Sequence, residues 1–307
     1  MAKSTRRARS VHWGLYAMLV PGIILTLIYS YGPLMGLVIA FQKFDFTKGL
    51  FGSPWVGFDN FKYIFNLRDF RRALGNTLSI SSMKLVFGMA FPIVVSLLLN
   101  EIRFNGLKRV IQTLIYLPFF ISWVILAGIM GDLLSPSTGF LNGILKMLGF
   151  KGVYFLGNAS VFPATMIVLD VWKGFGFGTI LYLAALTGVD PSLYEAASMD
   201  GANRFHRMWH ITMPELVPII VLNGTLSLGN ILNAGFDQIT NMYSTVVYKS
   251  GDILDTLVYR VGIIGVRDSI PQYEIATSIG LFKSLVSFAL ISASYYLAHK
   301  FADYQIF

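Results

Sequence analysis

Six long apolar stretches run the length of this chain, and they limit its fold more than any other feature. A helix that crosses a bilayer needs about 20 predominantly apolar residues. Each stretch supplies that length with at most two charged residues. The sequence therefore predicts an all-α integral membrane protein with six transmembrane helices in one domain, 1–307. The predicted spans are 14–41, 76–99, 110–131, 161–188, 216–236 and 276–299.

Composition favours a membrane protein over a soluble one. Charged residues make up 13% of the 307 residues and hydrophobic residues 55%, whereas soluble domains carry about 25% charged residues. The net charge of +8 is spread between the apolar stretches with no nucleic-acid motif, so nucleic acid is not an expected partner. The chain has no cysteine, which excludes disulfides and Cys-ligated metal. No metal site and no catalytic residue is predicted.

The basic residues indicate an orientation. Cytoplasmic segments of membrane proteins carry an excess of Lys and Arg. Four such residues precede the first stretch, namely Lys3, Arg6, Arg7 and Arg9. They place the N-terminus in the cytoplasm, and six spans return the C-terminus to the same side. The first stretch exceeds a secretory signal in length and lacks a small-residue cleavage site, so we expect it to be retained.

The first outer connection, 43–75, is rich in aromatic residues. Amphipathic aromatic side chains favour the depth of the lipid headgroups. We expect a short amphipathic helix that lies in the membrane interface. Packing against a partner subunit is the alternative interpretation.

The cytoplasmic connection between the fourth and fifth spans predicts two short helices joined by a turn. Asp190 is a good N-cap, and Pro191 suits the first helical position. Gly201 is a natural stop, because glycine adopts the left-handed conformation without steric cost. A second helix can run over 203–210 until Pro214 interrupts it. The pair would expose apolar side chains at the cytoplasmic surface, which indicates a protein partner.

The same connection, 190–214, resembles the EAA loop of bacterial ABC importer permeases. The pattern of that family is EAA, three residues, Gly, nine residues, and then I-x-L-P. This sequence keeps the spacing and differs only at Met213, where the family has Leu. The matching residues are Glu195, Ala196, Ala197, Asp200, Gly201, Ile211 and Pro214. The resemblance implies that they couple the chain to an ATPase; otherwise the segment is an amphipathic connection on the bilayer.

Shorter strings are similar to a subgroup of these permeases linked to complex oligosaccharides and to lipoprotein binding proteins. They are Asn233-Ala-Gly-Phe-Asp-Gln238, Asp255-Thr256, Tyr259-Arg260 and Gly280-Leu-Phe-Lys-Ser284. The resemblance implies the permease subunit of a carbohydrate importer in the bacterial plasma (inner) membrane. The implied partners are a second permease, two cytoplasmic ATPase subunits and an extracellular solute-binding lipoprotein.

The chain itself is expected to bind no cofactor. No G-x-x-x-x-G-K-[ST] string occurs in it, so it cannot hold ATP through a P-loop. The resemblance implies that ATP and Mg are bound by the partner ATPase, while this chain is surrounded by membrane lipid and conducts the sugar.

Ionisable residues inside spans are costly and usually face a cavity or another subunit. Asp170 and Lys173 lie three residues apart on one helix, so they can pair. Aromatic rings and side-chain amides near such a pair would suit a sugar. The candidates for the route of the sugar, or for the seam between two permeases, are Asp170, Trp172, Lys173, Phe175, Asn230 and Asn233. Lys84 and Lys283 can extend towards the headgroups.

Two other classes of function remain open. A self-sufficient secondary transporter or channel predicts an internal repeat, which the sequence does not show, and it leaves the cytoplasmic helix pair without a purpose. A membrane-embedded enzyme requires catalytic groups that face one another, and the sparse charges within the spans give that class little support.

Overall fold

The computed structural model describes residues 13–265 and 270–302. Over those residues the chain forms helices and turns, with one isolated antiparallel bridge between Gln42 and Trp55. The four basic residues that predict the orientation of the N-terminus, Lys3, Arg6, Arg7 and Arg9, lie outside the described residues.

The α-helices in the described ranges follow one another with short connections. Their bounds are α1 Trp13–Thr26, α2 Gly49–Gly52, α3 Asp59–Asn66, α4 Arg68–Asn100, α5 Asn105–Tyr116, α6 Trp123–Leu133, α7 Phe140–Met147, α8 Phe162–Leu186, α9 Pro191–Met199, α10 Arg204–Arg207, α11 Met213–Gly229, α12 Phe236–Met242, α13 Tyr248–Gly251, α14 Leu254–Tyr259 and α15 Tyr273–Ala302. A π turn at Leu27–Tyr31 and a 3₁₀ helix at Gly32–Phe41 prolong α1, and a π turn at Met208–Thr212 joins α10 to α11.

In the described part of the chain, five helical segments are long and apolar enough to cross a membrane. They are Tyr16–Phe41, Arg68–Asn100, Phe162–Leu186, Arg204–Gly229 and Tyr273–Tyr296. A sixth exists only if Asn105–Phe120 and Trp123–Leu133 are taken together. The structure is therefore an all-helical membrane protein with five or six spans.

The third predicted span, 110–131, is not a straight helix. Its two parts meet at an angle of 102°. Pro118 sits in the 3₁₀ turn Leu117–Phe120, where it cannot donate to the preceding turn. Ser122 then starts α6 afresh, because its hydroxyl accepts a hydrogen bond from the amide of Ile125.

The fifth predicted span, 216–236, is displaced towards the N-terminus, since the helical segment begins 12 residues earlier and ends 7 residues earlier than predicted. The helical segment runs from Arg204 to Gly229, and Pro214 does not interrupt it as expected. The reason is the π turn, in which the amide of Met213 bonds to the carbonyl of Met208. Pro214 has no N–H to donate, and it lies where the hydrogen bonds of the π turn give way to those of the α-helix, so the helix continues through it.

The core lies where α4 and α8 pack along their lengths and where the segments after α11 fold back on them. One cluster of fully buried side chains includes Ile80, Phe162, Met166 and Ile239. A second cluster joins α3, α4, α14 and α15 through Ile64, Phe70, Leu254 and Ile279. The first membrane segment contributes little, since only 6% of its apolar window is buried within the chain.

The short helix expected in the first outer connection is present as α3. It buries Asn60 and Ile64 against the core and exposes Tyr63 and Phe65. The aromatic rings around it contact one another, with Phe41 and Trp55 stacked at 5.7 Å between ring centroids. Its position relative to a membrane stays a prediction.

Gly176 allows α8 to touch the backbone of α5. A Cβ at this position would lie 2.0 Å from the carbonyl oxygen of Ile115. Gly174, two residues earlier in the same helix, has no atom within 4 Å of its ideal Cβ. We expect Gly176→Ala to lower the thermal unfolding temperature of the purified chain in detergent, because overpacking typically costs about 1–3 kcal/mol.

Gly174→Ala is the matched control for that experiment. Since alanine favours a helix over glycine by about 1 kcal/mol, this variant should unfold at or above the temperature of the wild type. Equal unfolding temperatures for the two variants would contradict the close approach of α5 and α8.

Candidate functional site

The membrane segment Arg204–Gly229, which corresponds to the fifth predicted span, ends at a non-helical stretch that we call the break. The polar side chains of the interior lie around this break. α11 stops at Gly229 and α12 begins at Phe236. Gly235, just before α12, has a φ of 93°, a left-handed value that favours glycine. A broken helix inside a membrane leaves backbone groups that must find partners within the protein.

Lys84 of α4 is buried at this break rather than extended towards the headgroups, so that expectation is wrong. Its Nζ donates to the carbonyl oxygen of Ala234 at 2.8 Å, to Oδ1 of Asp170 at 3.1 Å, and to Oε1 of Gln238. An ammonium has three N–H donors and no acceptor. Because the protein offers three acceptors at this depth, the side chain gains nothing by reaching for water.

Lys283 of α15 reaches the same break from the other side. Its Nζ donates to Oδ1 of Asn233 at 2.6 Å and forms an ion pair with Asp255 of α14. Asn233 in turn donates from Nδ2 to Oδ1 of Asn230 at 3.2 Å. Here too the expected extension towards the headgroups is wrong, because a carboxylate lies within reach inside the fold.

Two cavities meet at the break. The smaller has a volume of about 250 Å³, and its walls include Ser81, Lys84, Asp170, Ser227, Asn230 and Asn233. The larger, of about 890 Å³, also contacts Asn233 and is lined by three aromatic rings, those of Phe236, Tyr259 and Tyr273. Asn233 therefore stands in the wall between the two cavities.

Three of the six candidate residues predicted for the interior thus come together. Asp170, Asn230 and Asn233 line the smaller cavity. The pairing of Asp170 with Lys173 is wrong, because Asp170 pairs with Lys84 across the contact between α4 and α8. The spacing in the sequence predicts Lys173 of the same helix as the partner of Asp170, whereas the packing of α4 against α8 places Lys84 there.

Lys173 bonds to the bend between α5 and α6 instead of pairing with Asp170, and it stabilises that bend. Its Nζ donates to the carbonyl oxygen of Phe119 at 2.8 Å. The ammonium also lies 5.1 Å from the ring centroid of Phe119 and 5.3 Å from that of Trp123. Carbonyls at a helix end lack helical partners, and the bend presents one of them to this lysine.

Trp172 and Phe175 face away from the polar cavities. They line an apolar groove of about 590 Å³ between α4 and α8, together with Met83, Phe87 and Phe91. The expected grouping of these two rings with Asp170 and the asparagines is therefore wrong. On a helix of 3.6 residues per turn, residues two and five positions after Asp170 point to another face.

The sequence reasoning missed Lys84, Gln238, Asp255 and Lys283 as members of this cluster. One signal was available, since a buried lysine requires an acceptor for each of its donors. The second signal was the set of strings 233–238, 255–256 and 280–284, which are far apart in sequence but meet at the break.

A second ionic site lies in the connection that leads to α15. Arg260 pairs with Asp252 and stacks over the ring of Tyr248 at 4.5 Å. Thr256 donates to Oδ1 of Asp252 at 2.8 Å. Burial raises the pKa of the Asp252 carboxyl to about 6, and the Arg260 guanidinium limits that rise. Tyr248, Asp252 and Arg260 border a cavity of about 540 Å³ beside the N-terminus of α4.

The segment that carries the EAA spacing forms two short helices, α9 and α10, at the start of the fifth membrane segment. The side chain of Asp190 caps α9 by accepting from the amide of Ser192 at 2.9 Å, which lowers the pKa of that carboxyl. Gly201 has a φ of 78°, which confirms the predicted left-handed turn. Arg207 donates to Oγ of Ser198 at 2.6 Å and so joins the two helices.

The surface of this helix pair is apolar at several points. Met199, Phe205 and Trp209 are exposed, and so are Glu195, Ala196 and Asp200. Ile211 turns inwards and packs against the cluster around Tyr182 and Leu216. The pair is thus anchored on one side and open on the other.

Comparison with known proteins gives concordant matches. The model of the family described as "Binding-protein-dependent transport system inner membrane component" matches residues 77–298. Protein LplB of Bacillus subtilis is 42% identical over 293 residues, which cover 95% of this chain and 91% of that protein.

Two further matches are named for carbohydrates. The polygalacturonan/rhamnogalacturonan transport system permease protein YteP of Bacillus subtilis is 38% identical, over 95% of this chain and 90% of that protein. A chain of a bacterial alginate ABC transporter, crystallised in complex with an alginate pentasaccharide-bound periplasmic protein, aligns with a TM-score of 0.85 and 38% identity, and the alignment covers 94% of each chain.

The ion pair between Lys84 and Asp170 generates a stability prediction. We expect Asp170→Asn to lower the thermal unfolding temperature of the purified chain in detergent, because it leaves the ammonium of Lys84 buried without a counter-charge. Breaking a buried pair costs about 3–5 kcal/mol, and the effect should lie at the lower end because the side chain of Asp170 is 35% exposed.

The double variant Asp170→Asn with Lys84→Gln should recover part of the loss, since it removes both charges and keeps similar shapes. Lys62→Gln serves as the control, because Lys62 forms an exposed ion pair with Asp59, and such pairs contribute little to stability. The assignment fails if Lys62→Gln destabilises the protein as much as Asp170→Asn does.

Proposed function

The chain belongs to the family of binding-protein-dependent transport system inner membrane components, and from this premise we propose that it forms one half of the pore of an ATP-driven oligosaccharide importer. It is a multi-pass membrane subunit that translocates a solute and does not catalyse a reaction. The resemblance expected from the EAA spacing is confirmed at the level of the family.

The observation that carries this proposal is the continuity between an exposed helix pair and the interior cavity. α10, the π turn and α11 form one helical segment that runs from Arg204 to Gly229 and ends at the break. A displacement at α9 and α10 would therefore reach the residues that line the cavity. That connection suits a pore driven by a cytoplasmic motor.

In this proposal both termini and the helix pair lie on the cytoplasmic side, where α9 and α10 dock on an ATPase. Glu195, Ala196, Ala197, Asp200 and Gly201 of the EAA pattern lie on the docking pair, whereas Ile211, which packs inwards, and Pro214 join that pair to the membrane segment. The exposed side chains of Met199, Phe205 and Trp209 supply apolar area for the contact. ATP and Mg are held by two such ATPase subunits, because this chain has no phosphate-binding loop.

A second permease completes the pore, and an extracellular solute-binding lipoprotein delivers the sugar. The amides of Asn230 and Asn233, with Asp170, face the route of the sugar. Trp172 and Phe175 suit the seam with the second permease, because their groove is apolar and open. Lys173 holds the bend that borders this seam.

An oligosaccharide is the proposed solute for two reasons. The cavities at the break combine hydrogen-bonding amides with aromatic rings, and sugars present both hydroxyl groups and apolar ring faces. The names of YteP and of the alginate transporter also refer to carbohydrate polymers or oligomers.

The coupling role of the helix pair is tested at Gly201. Gly201→Val forces a β-branched residue into a positive φ, which should distort the turn between α9 and α10. We expect normal membrane insertion with a several-fold loss of saccharide uptake, through lost ATPase binding or uncoupled hydrolysis. The measurements are co-purification of the ATPase through a tag on this chain, ATP hydrolysis by the complex, and uptake in the native host.

Gly149→Val is a matched control, because Gly149 has a φ of 82° and likewise has no atom within 4 Å of its ideal Cβ. It carries the same backbone strain in the connection after α7, remote from the helix pair. Uptake should survive this substitution. Wild-type co-purification, hydrolysis and uptake in Gly201→Val would reduce the helix pair to a simple connector.

A further inference from the structure

Lys84 and Lys283 contact the break from opposite sides, and the residues that accept their hydrogen bonds are consecutive in sequence. Lys283 donates to the side chain of Asn233, and Lys84 donates to the backbone carbonyl of Ala234. Each ammonium has its own carboxylate, Asp255 for Lys283 and Asp170 for Lys84. We call this pair of lysines, with its two carboxylates, the lysine clasp.

The clasp fixes which way the asparagine amides point. An ammonium can only donate, so Asn233 must turn its Oδ1 towards Lys283. Its Nδ2 then faces Asn230 and donates to Oδ1 of that residue at 3.2 Å. The Nδ2 of Asn230 takes no part in these two hydrogen bonds. Each group thus donates to the next, from Lys283 to Asn233 and from Asn233 to Asn230, which lies in the wall of the smaller cavity.

Lys84 fixes the other end of the break in the same manner. Its donation to Oε1 of Gln238 turns Nε2 of that amide towards the carbonyl of Met166, at 2.8 Å. The fit is close at Gly235, where a Cβ would lie 2.8 Å from the ammonium nitrogen. The break is therefore held by Lys84 at the backbone of Ala234 and by Lys283 at the side chain of Asn233, and the four charged groups of the clasp belong to four helices, α4, α8, α14 and α15.

On this basis, and resting on the function proposed above, we propose that Lys84 and Lys283 are positioning residues that make the break present N–H donors to a saccharide. The ligand groups that fit are acceptor oxygens, such as hydroxyl oxygens. Because each lysine is neutralised by its own carboxylate, the clasp offers hydrogen bonds without net charge. It thus selects for hydroxyl-bearing sugars rather than for anions as such.

The test measures saccharide binding at this site without the binding protein. The importer complex is purified through a tag on this chain, and arabinotriose or trigalacturonate is titrated into it at constant temperature in a calorimeter. The ligand concentration at half-saturation reports the affinity at the permease, and ligand that binds the folded state also raises the thermal unfolding temperature. A purely structural change would shift the unfolding temperature without ligand but not this midpoint.

Asn230→Asp is the most direct variant. Aspartate still accepts from Nδ2 of Asn233, but it replaces the N–H donors at the cavity by acceptor oxygens. We expect the half-maximal concentration to rise about tenfold, the effect of about one lost hydrogen bond. The side chain is of nearly equal size and lies outside both ion pairs, so the complex should still assemble.

Lys283→Met combined with Asp255→Asn tests the clasp itself. It removes both charges together and frees the amide of Asn233 to rotate, so the midpoint should rise by a similar factor. Lys283→Arg retains a donor-only cation beside Asp255 and should keep the midpoint within about twofold of the wild type.

Each outcome decides the matter. Unchanged midpoints in both Asn230→Asp and the double variant would overturn the clasp as a positioning device, as would a wild type that imports a probe without any ligand-dependent stabilisation. In both cases uptake by the wild type leaves the proposed function intact. A wild type that neither imports nor binds either probe would overturn the saccharide function, and the clasp proposal with it.

Discussion

The hydrogen-bonding demand of the backbone inside a bilayer governs this structure. Water is absent from the hydrocarbon layer, so each exposed amide or carbonyl must be satisfied by the protein. In the part of the chain that the structure describes, the break after Gly229 and the bend after Phe120 are two places where the membrane helices fail to do this by themselves. At both places a lysine supplies the missing donor, Lys84 at Ala234 and Lys173 at Phe119.

This demand explains why the few charges in the spans occupy these positions. Each lysine lies on a helix that packs against the irregular segment, and none lies on a long face directed only at lipid. The carboxylates that accompany Lys84 and Lys283 keep the interior near neutrality. Polar groups, cavities and irregular backbone therefore coincide, which concentrates the capacity for recognition in one small region.

The sequence predicts local features of this protein well and distant ones poorly. The apolar stretches, the cap at Asp190 and the turn at Gly201 depend on residues within a few positions of one another, and the structure has them. The partner of Asp170 depends on how α4 packs against α8, and no local pattern reports that contact. The bend at Pro118 and the break before Gly235 lie within or beside apolar stretches. Hydropathy alone predicts an uninterrupted helix in such stretches.

The π turn between α10 and α11 sets the rotational phase of the two ends of the fifth membrane segment. Such a turn amounts to one residue inserted into an α-helix, and one residue corresponds to about 100° around the helix axis. Loss of a single residue from Met208–Thr212 would restore ideal geometry and swing the EAA surface by that angle relative to Asn230. We therefore expect insertions and deletions to be tolerated in connections such as the one after α7 and to disrupt coupling in this segment.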